Sequence, residues 1–598
     1  MSNPALLTGF RQPHSVARTS GKTYSLCLPS VAPWPSLHFA PKMRARILLL
    51  VSSLLFVGCI SYPLRPRPAT SPEITPADVR TRIYIVADDS MLGRAAGSEG
   101  NYRMTEYLAL ELSRMGLEPG GEKGTFFQVV PMVSRRPDPA SRLTAGDDTL
   151  NLFTDFAPIR PTSTARIGTS IDVSALPVIY GGTAGDTLLV LDKDLVAGRL
   201  IVFDAAIGGN GQRIGTYTTA AGTEGAKYPG AAGIAIAALD LQANPGGLRS
   251  AGPGLPADKS QSRPAGILIT AAAAKKLMGA ELSQVRPGTP GRVVAAKIGF
   301  VDSPVQSPAR NVIAIRRGSD PVLRNEYVAV GAHSDHIAPA TRAVEHDSLR
   351  AYNQVMRPTG EGGRTPPTAE QWMRILAIRD SARKVRPPRL DSINNGADDD
   401  GSGSVALLEV AELFAAQPPP RRSVMFVWHT GEESGLLGSM YFVDHMTVPR
   451  DSVIAQINMD MVGRGREEDT PHGGPLNLEA IGLRRLSTDL GNVVDSVNSL
   501  RAVPWKIDLS FDAPRHPDNR YCRSDHQNYA RTGIPIVYFS RGHHRDYHQV
   551  SDEAQYIEYD ALSRVAGFVH DVAAALADRK DKPRRDKPMP NPLAPCRQ

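Results

Sequence analysis

Five short segments in the second half of this chain place acids or histidines at the end of an apolar run. They read Val330-Gly-Ala-His333-Ser-Asp335, Gly396-Ala-Asp398-Asp399-Asp400-Gly, Gly431-Glu432-Glu433-Ser-Gly, Asn458-Met-Asp460 and Tyr547-His548. A carboxylate-rich set with two histidines suits a pair of borderline-hard divalent ions, zinc above all. One glutamate beyond the ligands is left for proton transfer, which is the equipment of a metal-assisted hydrolase.

Each segment also has a plainer explanation. A single histidine such as His333 is usually structural, but Asp335 two positions on can hold the second ring nitrogen of a ligating imidazole. Asp398, Asp399 and Asp400 could be a solvated acidic turn. Buried without a cation, they would repel one another and their pKa values would rise. A carboxylate with two oxygens can bridge two metals, and the spacing leaves open which of the three does so. Glu432 and Glu433 could be an acidic pair at a helix start. On extended backbone adjacent side chains diverge, so one can ligate while the other faces water. Asp460 could be a loop acid, and His548, beside His543 and His544, could be surface. The five segments together outweigh five separate coincidences.

These residues need a scaffold that gathers strand ends. From residue 300 on the pattern is strand, loop, helix. Strands are expected at Asn311–Ile315, Tyr327–Val330, Val424–Trp428, Val453–Ile457 and Ile536–Phe539, and a helix at Ser404–Ala415. The alternation predicts an α/β fold, a mixed and mostly parallel sheet covered by helices on both faces. Functional loops of such sheets collect at the carboxyl ends of the strands. Upstream, Thr75 reads as an N-cap with Pro76 at the first helical position. A helix follows over about Tyr102–Met115, closed by Gly116, then a strand at Phe126–Val130.

Residues 135–300 change character. Short β-type runs (Leu188–Leu191, Leu200–Phe203) and the small-residue stretch Ala231–Leu239 carry no cluster of ligand-type residues. The expected organisation is an N-terminal extension and export signal (1–58), a tether (59–74), the first part of the α/β domain (75–134), an inserted β-rich domain (135–300), the second, ligand-bearing part of the α/β domain (301–578) and a basic disordered tail (579–598). Residues 338–393 form a charged insertion with a helical centre near Ala369–Arg383, placed to make a rim or lid.

The 598 residues exceed what one core usually organises, and 53 glycines with 49 prolines point to many loops. The formal charge of +7 comes from the two ends. Residues 1–58 hold six basic residues and no acid, and seven basic residues face two acids from Arg579 onward. The body is acidic, so nucleic acid is excluded as a partner. Met43-Arg-Ala-Arg46, the apolar run Ile47–Val57 and Gly58-Cys59 read as an export signal starting at Met43. The run is short for a bilayer span and resembles a bacterial lipoprotein signal with Cys59 acylated as a membrane tether. With Phe56 in place of the usual aliphatic residue, plain secretion is the alternative. The expected location is therefore periplasmic, outer-membrane-anchored or secreted. Four cysteines exclude a disulfide-rich scaffold, and Cys522 and Cys596 are the two available to pair.

The ordered series of motifs resembles the zinc aminopeptidase family that includes aminopeptidase S, aminopeptidase Y and the glutamate carboxypeptidases. It consists of the His333 segment, Gly396–Gly403, Gly431–Ser439, Asn458–Met461, Ser524-Asp525-His526 with Gly533-Ile-Pro535, and Tyr547-His548, and the likeness spans 75–135 and 300–575. Within 135–300, Asp194–Phe203 and Pro229–Ile236 resemble a protease-associated domain. The resemblance implies a co-catalytic zinc exopeptidase fold with two zinc ions, one held by His333, Asp399 and Asp460 and the other by Asp399, Glu433 and His548. It implies Glu432 as general base, Asp335 as the partner of His333, and Tyr547 as a donor to the substrate carbonyl. Peptides are the implied substrates, cut from the N-terminus. A carboxypeptidase or dipeptidase on the same scaffold is the closest rival. A one-zinc glutaminyl-cyclase-like acyltransferase and a non-catalytic receptor are more distant ones. The 338–393 insertion departs from the family pattern.

Overall fold

A computed structural model describes residues 70–162, 166–186, 188–207, 217–242, 245–256, 263–360, 366–470, 472–591 and 596 of the chain. The expected export signal, Cys59 and most of the tether lie outside the described residues. No helix among the described residues is long and apolar enough to cross a membrane.

Nine strands build the large sheet: β1 (Glu118–Pro119), β2 (Phe127–Val130), β3 (Ala309–Arg316), β4 (Tyr327–His333), β5 (Ser423–His429), β6 (Val453–Met459), β7 (Asn477–Ile481), β8 (Lys506–Asp508) and β9 (Ile536–Ser540). Their order is β1-β3-β5-β4-β6-β9-β7-β8, with β2 also on β3. The central four, β5-β4-β6-β9, are parallel, whereas β3 on β5 and β7 on β9 are antiparallel. The sheet is mixed, and its parallel centre is where the strand ends converge.

The central strands are apolar throughout because both faces are covered. Every residue of β4 is buried. Val328 and Val330 join the core under helices Pro76–Val86, Gly401–Ala416 and Tyr559–Asp578, while Ala329 packs with Phe442 and Tyr529 on the other face. One strand therefore feeds two cores through its period of two. The first helix is capped by Thr75, whose hydroxyl accepts the N–H of Asp78 at 3.1 Å. The second helix spans Glu99–Arg114 and starts three residues before the expected Tyr102.

Residues between the two parts of the large-sheet domain form their own sheets and their own cores. The chain enters along Val133–Pro137 and leaves along Phe300–Pro304. These strands pair antiparallel, with Val133 opposite Pro304. The insert also holds an eight-stranded sheet, and within it Ile171–Thr183, Leu200–Asp204, Gly233–Ala237 and Ala265–Ile269 run parallel. The expected β-run at Leu188–Leu191 is irregular. The Asp186 carboxylate takes the N–H groups of Leu188 and Leu189 in a turn, which removes them from any ladder.

The 338–393 insertion holds two packed helices, His346–Met356 and Ala369–Arg383, above a two-stranded base of Val344–Glu345 and Leu390–Asp391. The longer helix opens with a capping box between Thr368 and Gln371. The insertion is fastened to the body by Arg389 to Glu553 at 2.8 Å and by Arg357 Nη2 to the Tyr547 carbonyl at 3.1 Å.

The C-terminal segment departs from the expected disordered tail. From Arg579 on it has no helix or strand among the described residues, yet its described part is held down. Arg584 pairs with Asp489 at 3.1 Å, Asp586 accepts the Thr488 N–H at 2.9 Å, and Cys596 forms a disulfide with Cys522. Its basic residues meet acidic partners on the body, so the composition that suggested disorder serves docking instead.

Candidate metal centre

The carboxyl ends of the parallel strands point into one region. β4 ends at His333, the β5 loop carries Glu432 and Glu433, Asp460 comes directly after β6, and the loop after β9 carries Tyr547 and His548. The fifth contribution is the turn before helix Gly401–Ala416, which holds the three aspartates around a cis Asp399–Asp400 peptide bond.

The three aspartates do three different things. The Asp400 carboxylate accepts the Gly403 N–H at 2.8 Å, capping the helix, and the His333 N–H at 3.0 Å. Asp398 turns away, with Oδ1 accepting the Gly463 N–H at 2.6 Å and Oδ2 lying 3.3 Å from His544 Nε2. Asp399 faces the strand ends. Its Oδ1 is 3.3 Å from His333 Nε2 and its Oδ2 is 3.0 Å from His548 Nε2. The Asp552 carboxylate receives the N–H groups of Asp398 and Asp399 at 3.1 Å and fixes this turn.

Around Asp399 the donors fall into two groups. His333, Asp399 and Asp460 form one, with His333 Nε2 3.7 Å from Asp460 Oδ1. The other contains Asp399, Glu433 and His548, with His548 Nε2 2.9 Å from Glu433 Oε2. It also contains His336, which the sequence pattern did not single out. The signal was present, since His333-Ser-Asp335-His336 carries a second imidazole three residues after the first. His333 Nε2, Asp399 Oδ2 and Glu433 Oε1 are buried and have no hydrogen-bond partner. Such orphaned donors and acceptors, all convergent and mostly anionic, fit a divalent cation.

Asp335 acts differently from the expectation. The His333 Nδ1 hydrogen bond goes to the Asp335 main-chain oxygen at 3.0 Å, with the carboxylate farther off at 3.6 Å. The carboxylate instead accepts the N–H of Glu432 at 3.1 Å. Two residues after a strand end, the backbone turns its carbonyl toward the ring and frees the side chain to hold the next loop.

The electrostatics separate the acids. Burial pushes the Glu432 carboxyl well above the usual carboxylate range, and Glu433, Asp460 and Asp525 add to this. Burial acts the same way on Asp399, but His333 and His548 outweigh it and hold Asp399 well below that range. In Glu433, burial and Asp399 are outweighed by His336 and His548, and its pKa is lowered. Neighbouring carboxyls with opposed proton affinities are the pattern of divided labour, ligands beside a proton carrier. Burial, Asp399 and Glu433 raise the Tyr547 phenol well above its ordinary value, so it remains a donor. Tyr547 stacks on His548 and receives a hydrogen bond from Arg523 at 3.4 Å. Glu432, Asp460, Tyr547 and His548 line one cleft with Asp399.

Residues 311–573 match the sequence profile of Peptidase family M28, from β3 to the last helix, and the span brackets every donor named above. This segment is similar to peptidase family M28. The chain is 29% identical over 170 residues to leupeptin-inactivating enzyme 1 of Streptomyces exfoliatus, covering 28% of this chain and 34% of that protein. It is 27% identical over 194 residues to leucine aminopeptidase 1 of Trichophyton equinum, covering 30% and 48%. The chain thus spans a third to a half of the length of these curated relatives. Among solved structures, the aminopeptidase from Aneurinibacillus sp. strain AM-1 aligns over 87% of this chain and 97% of its own, at 16% identity and a TM-score of 0.43. The zinc aminopeptidase BSAP from Bacillus subtilis aligns over 86% and 98%, at 14% identity and a TM-score of 0.40.

Proposed function

We propose that this protein is a di-zinc aminopeptidase that removes N-terminal residues from peptides. The observation that carries the reading is Asp399, one oxygen toward each donor group, with Glu432 in the same cleft. His333, Asp399 and Asp460 would hold one ion, and Asp399, Glu433 and His548 the other. When bound, zinc supplies Lewis acidity and makes water a nucleophile at neutral pH.

The chain's own groups do the rest. Glu432 takes a proton from the attacking water and returns it to the leaving amine. Its placement depends on Asp335, which holds its backbone N–H. The Asp335 carbonyl also fixes the tautomer of His333 by occupying Nδ1. The Tyr547 hydroxyl lines the cleft as a donor for a developing oxyanion. We propose export as the setting of this activity, either through acylation of Cys59 or by plain secretion. The Cys522–Cys596 bridge is compatible with an oxidising compartment.

The test has two arms. Zinc content should fall in His333→Ala and His548→Ala, and chelation should abolish hydrolysis of a leucyl anilide that added zinc restores. With longer peptides, N-acetylation should block cleavage and C-terminal amidation should leave it intact. The reverse pattern would make the protein a carboxypeptidase, and an enzyme indifferent to chelator would overturn the metal reading.

A further inference from the structure

Resting on the zinc reading above, the geometry points to His336 as a further metal ligand, giving one ion four protein donors and the other three. The second group is then His336, Asp399, Glu433 and His548, whose donor atoms all lie within 4.8 Å of one another.

The first reason is an unmet demand. His336 is 1% exposed, and both of its ring nitrogens lack a hydrogen-bond partner. A buried polar group left this way costs on the order of 1–3 kcal/mol and calls for an explanation. Its Nδ1 lies 2.8 Å from Glu433 Oε1 and 3.7 Å from Asp399 Oδ2. At 2.8 Å a hydrogen bond to Glu433 would be the simple account. Yet the pair forms no hydrogen bond of ordinary geometry, and both atoms remain without a hydrogen-bond partner. Two donor atoms that lie this close, unpaired and beside Asp399, are arranged as co-ligands are, around a third centre.

The second reason is that the ring is set in place by its surroundings. The ring packs edge-on against His548, with the ring centroids 5.6 Å apart, and the two imidazoles use different oxygens of Glu433. Gly396 has φ +52°, and a Cβ there would stand 2.5 Å from His336 Cγ, so only glycine leaves room for the ring. Arg94 ties the two together. Its carbonyl accepts the His336 N–H at 3.3 Å, and its guanidinium donates to the Gly396 carbonyl at 2.8 Å.

The consequence is an unequal pair. Two imidazoles and two carboxylates complete a four-coordinate zinc site of the closed kind, whereas three protein donors leave a position open. The His336 group is therefore the tight site that fills first. The His333, Asp399 and Asp460 group keeps the vacant position next to Glu432.

X-ray absorption at the zinc edge tests this on the full chain, stripped and reloaded with one equivalent of zinc. The first zinc should show two imidazole ligands in the wild type and one in His336→Ala. The same substitution should weaken that zinc by at least about 10–100-fold in a chelator competition, the range already seen when only a ligand's supporting partner is lost. Affinity alone would not separate the two roles, so the imidazole count decides. A wild-type first zinc with a single imidazole overturns the inference while leaving the di-zinc reading in place, and that count stands even if His336→Ala does not fold. A wild-type chain that binds no zinc overturns the proposed function itself.

Discussion

Two sheets in this molecule contain four parallel strands each, and the difference between them lies just past the strand ends. In the large sheet those ends run into His333, Glu432 with Glu433, Asp460 and the His548 loop. In the inserted sheet, Asp204 spends its carboxylate on the next residue's N–H at 2.7 Å. Ile269 precedes Thr270, whose hydroxyl caps helix Ala271–Met278, and Gly233–Ala237 runs into two apolar residues. Among the described residues both metal-type groups belong to the large sheet. Parallel strand ends are thus a place where chemistry can be assembled, and the residues there decide whether it is.

The comparison breaks most visibly at Glu432. Glu432→Gln should keep its zinc and lose roughly two to four decades of kcat, because the amide cannot accept a proton while every ligand remains. Zinc analysis beside steady-state kinetics checks this, and near-normal turnover would remove Glu432 from the base role.

A smaller effect separates the two regions by stability. The Cys522–Cys596 bridge closes a loop that contains His548 and the last helix, and no cysteine falls within 135–300. Cys596→Ser should lower stability by roughly 2–4 kcal/mol. Tryptophan fluorescence reads this selectively, since Trp428 and Trp505 lie in the large-sheet core and the insert has no tryptophan. An unchanged unfolding midpoint would mean that the docked C-terminal segment adds nothing.

The smallest effect sharpens the division. With residues 135–300 replaced by a short linker, a folded remainder should bind zinc and cleave a small aminoacyl anilide with a change in kcat under about tenfold, or about 1.4 kcal/mol in the barrier. Preference among longer peptides should shift. Loss of zinc from a truncation that circular dichroism shows to be folded would place part of the metal site in the insert.

The central strands were legible because burial on both faces turns them into continuous apolar runs, as in Tyr327–Val330 and Val424–Trp428. Strands interrupted by a charge or by turn-type residues were not. β7 carries Glu479, which pairs with Arg520 in the interior, and that charge hid a fully buried strand. The strand Ile171–Thr183 contains Pro177, Gly181 and Gly182, which read as breaks. Leu188–Leu191 failed the other way, since Leu188 is apolar but 93% exposed. At the site, residue types and order brought five donors into view, but one motif with two histidines was read for only one. Asp335 shows a different limit, because a sequence does not say whether a residue acts through its side chain or its carbonyl.

The paired strands at the seam also bear on how such a protein could arise. Val133 and Pro304 are direct neighbours across a ladder, so the start and end of the insert meet at about one strand spacing, ~5 Å. A segment whose two ends meet can be acquired in a single recombination event at one loop, without shifting any strand of its host. It can be exchanged or lost the same way. Substrate range could then change by replacement of a module while the metal centre is inherited unaltered.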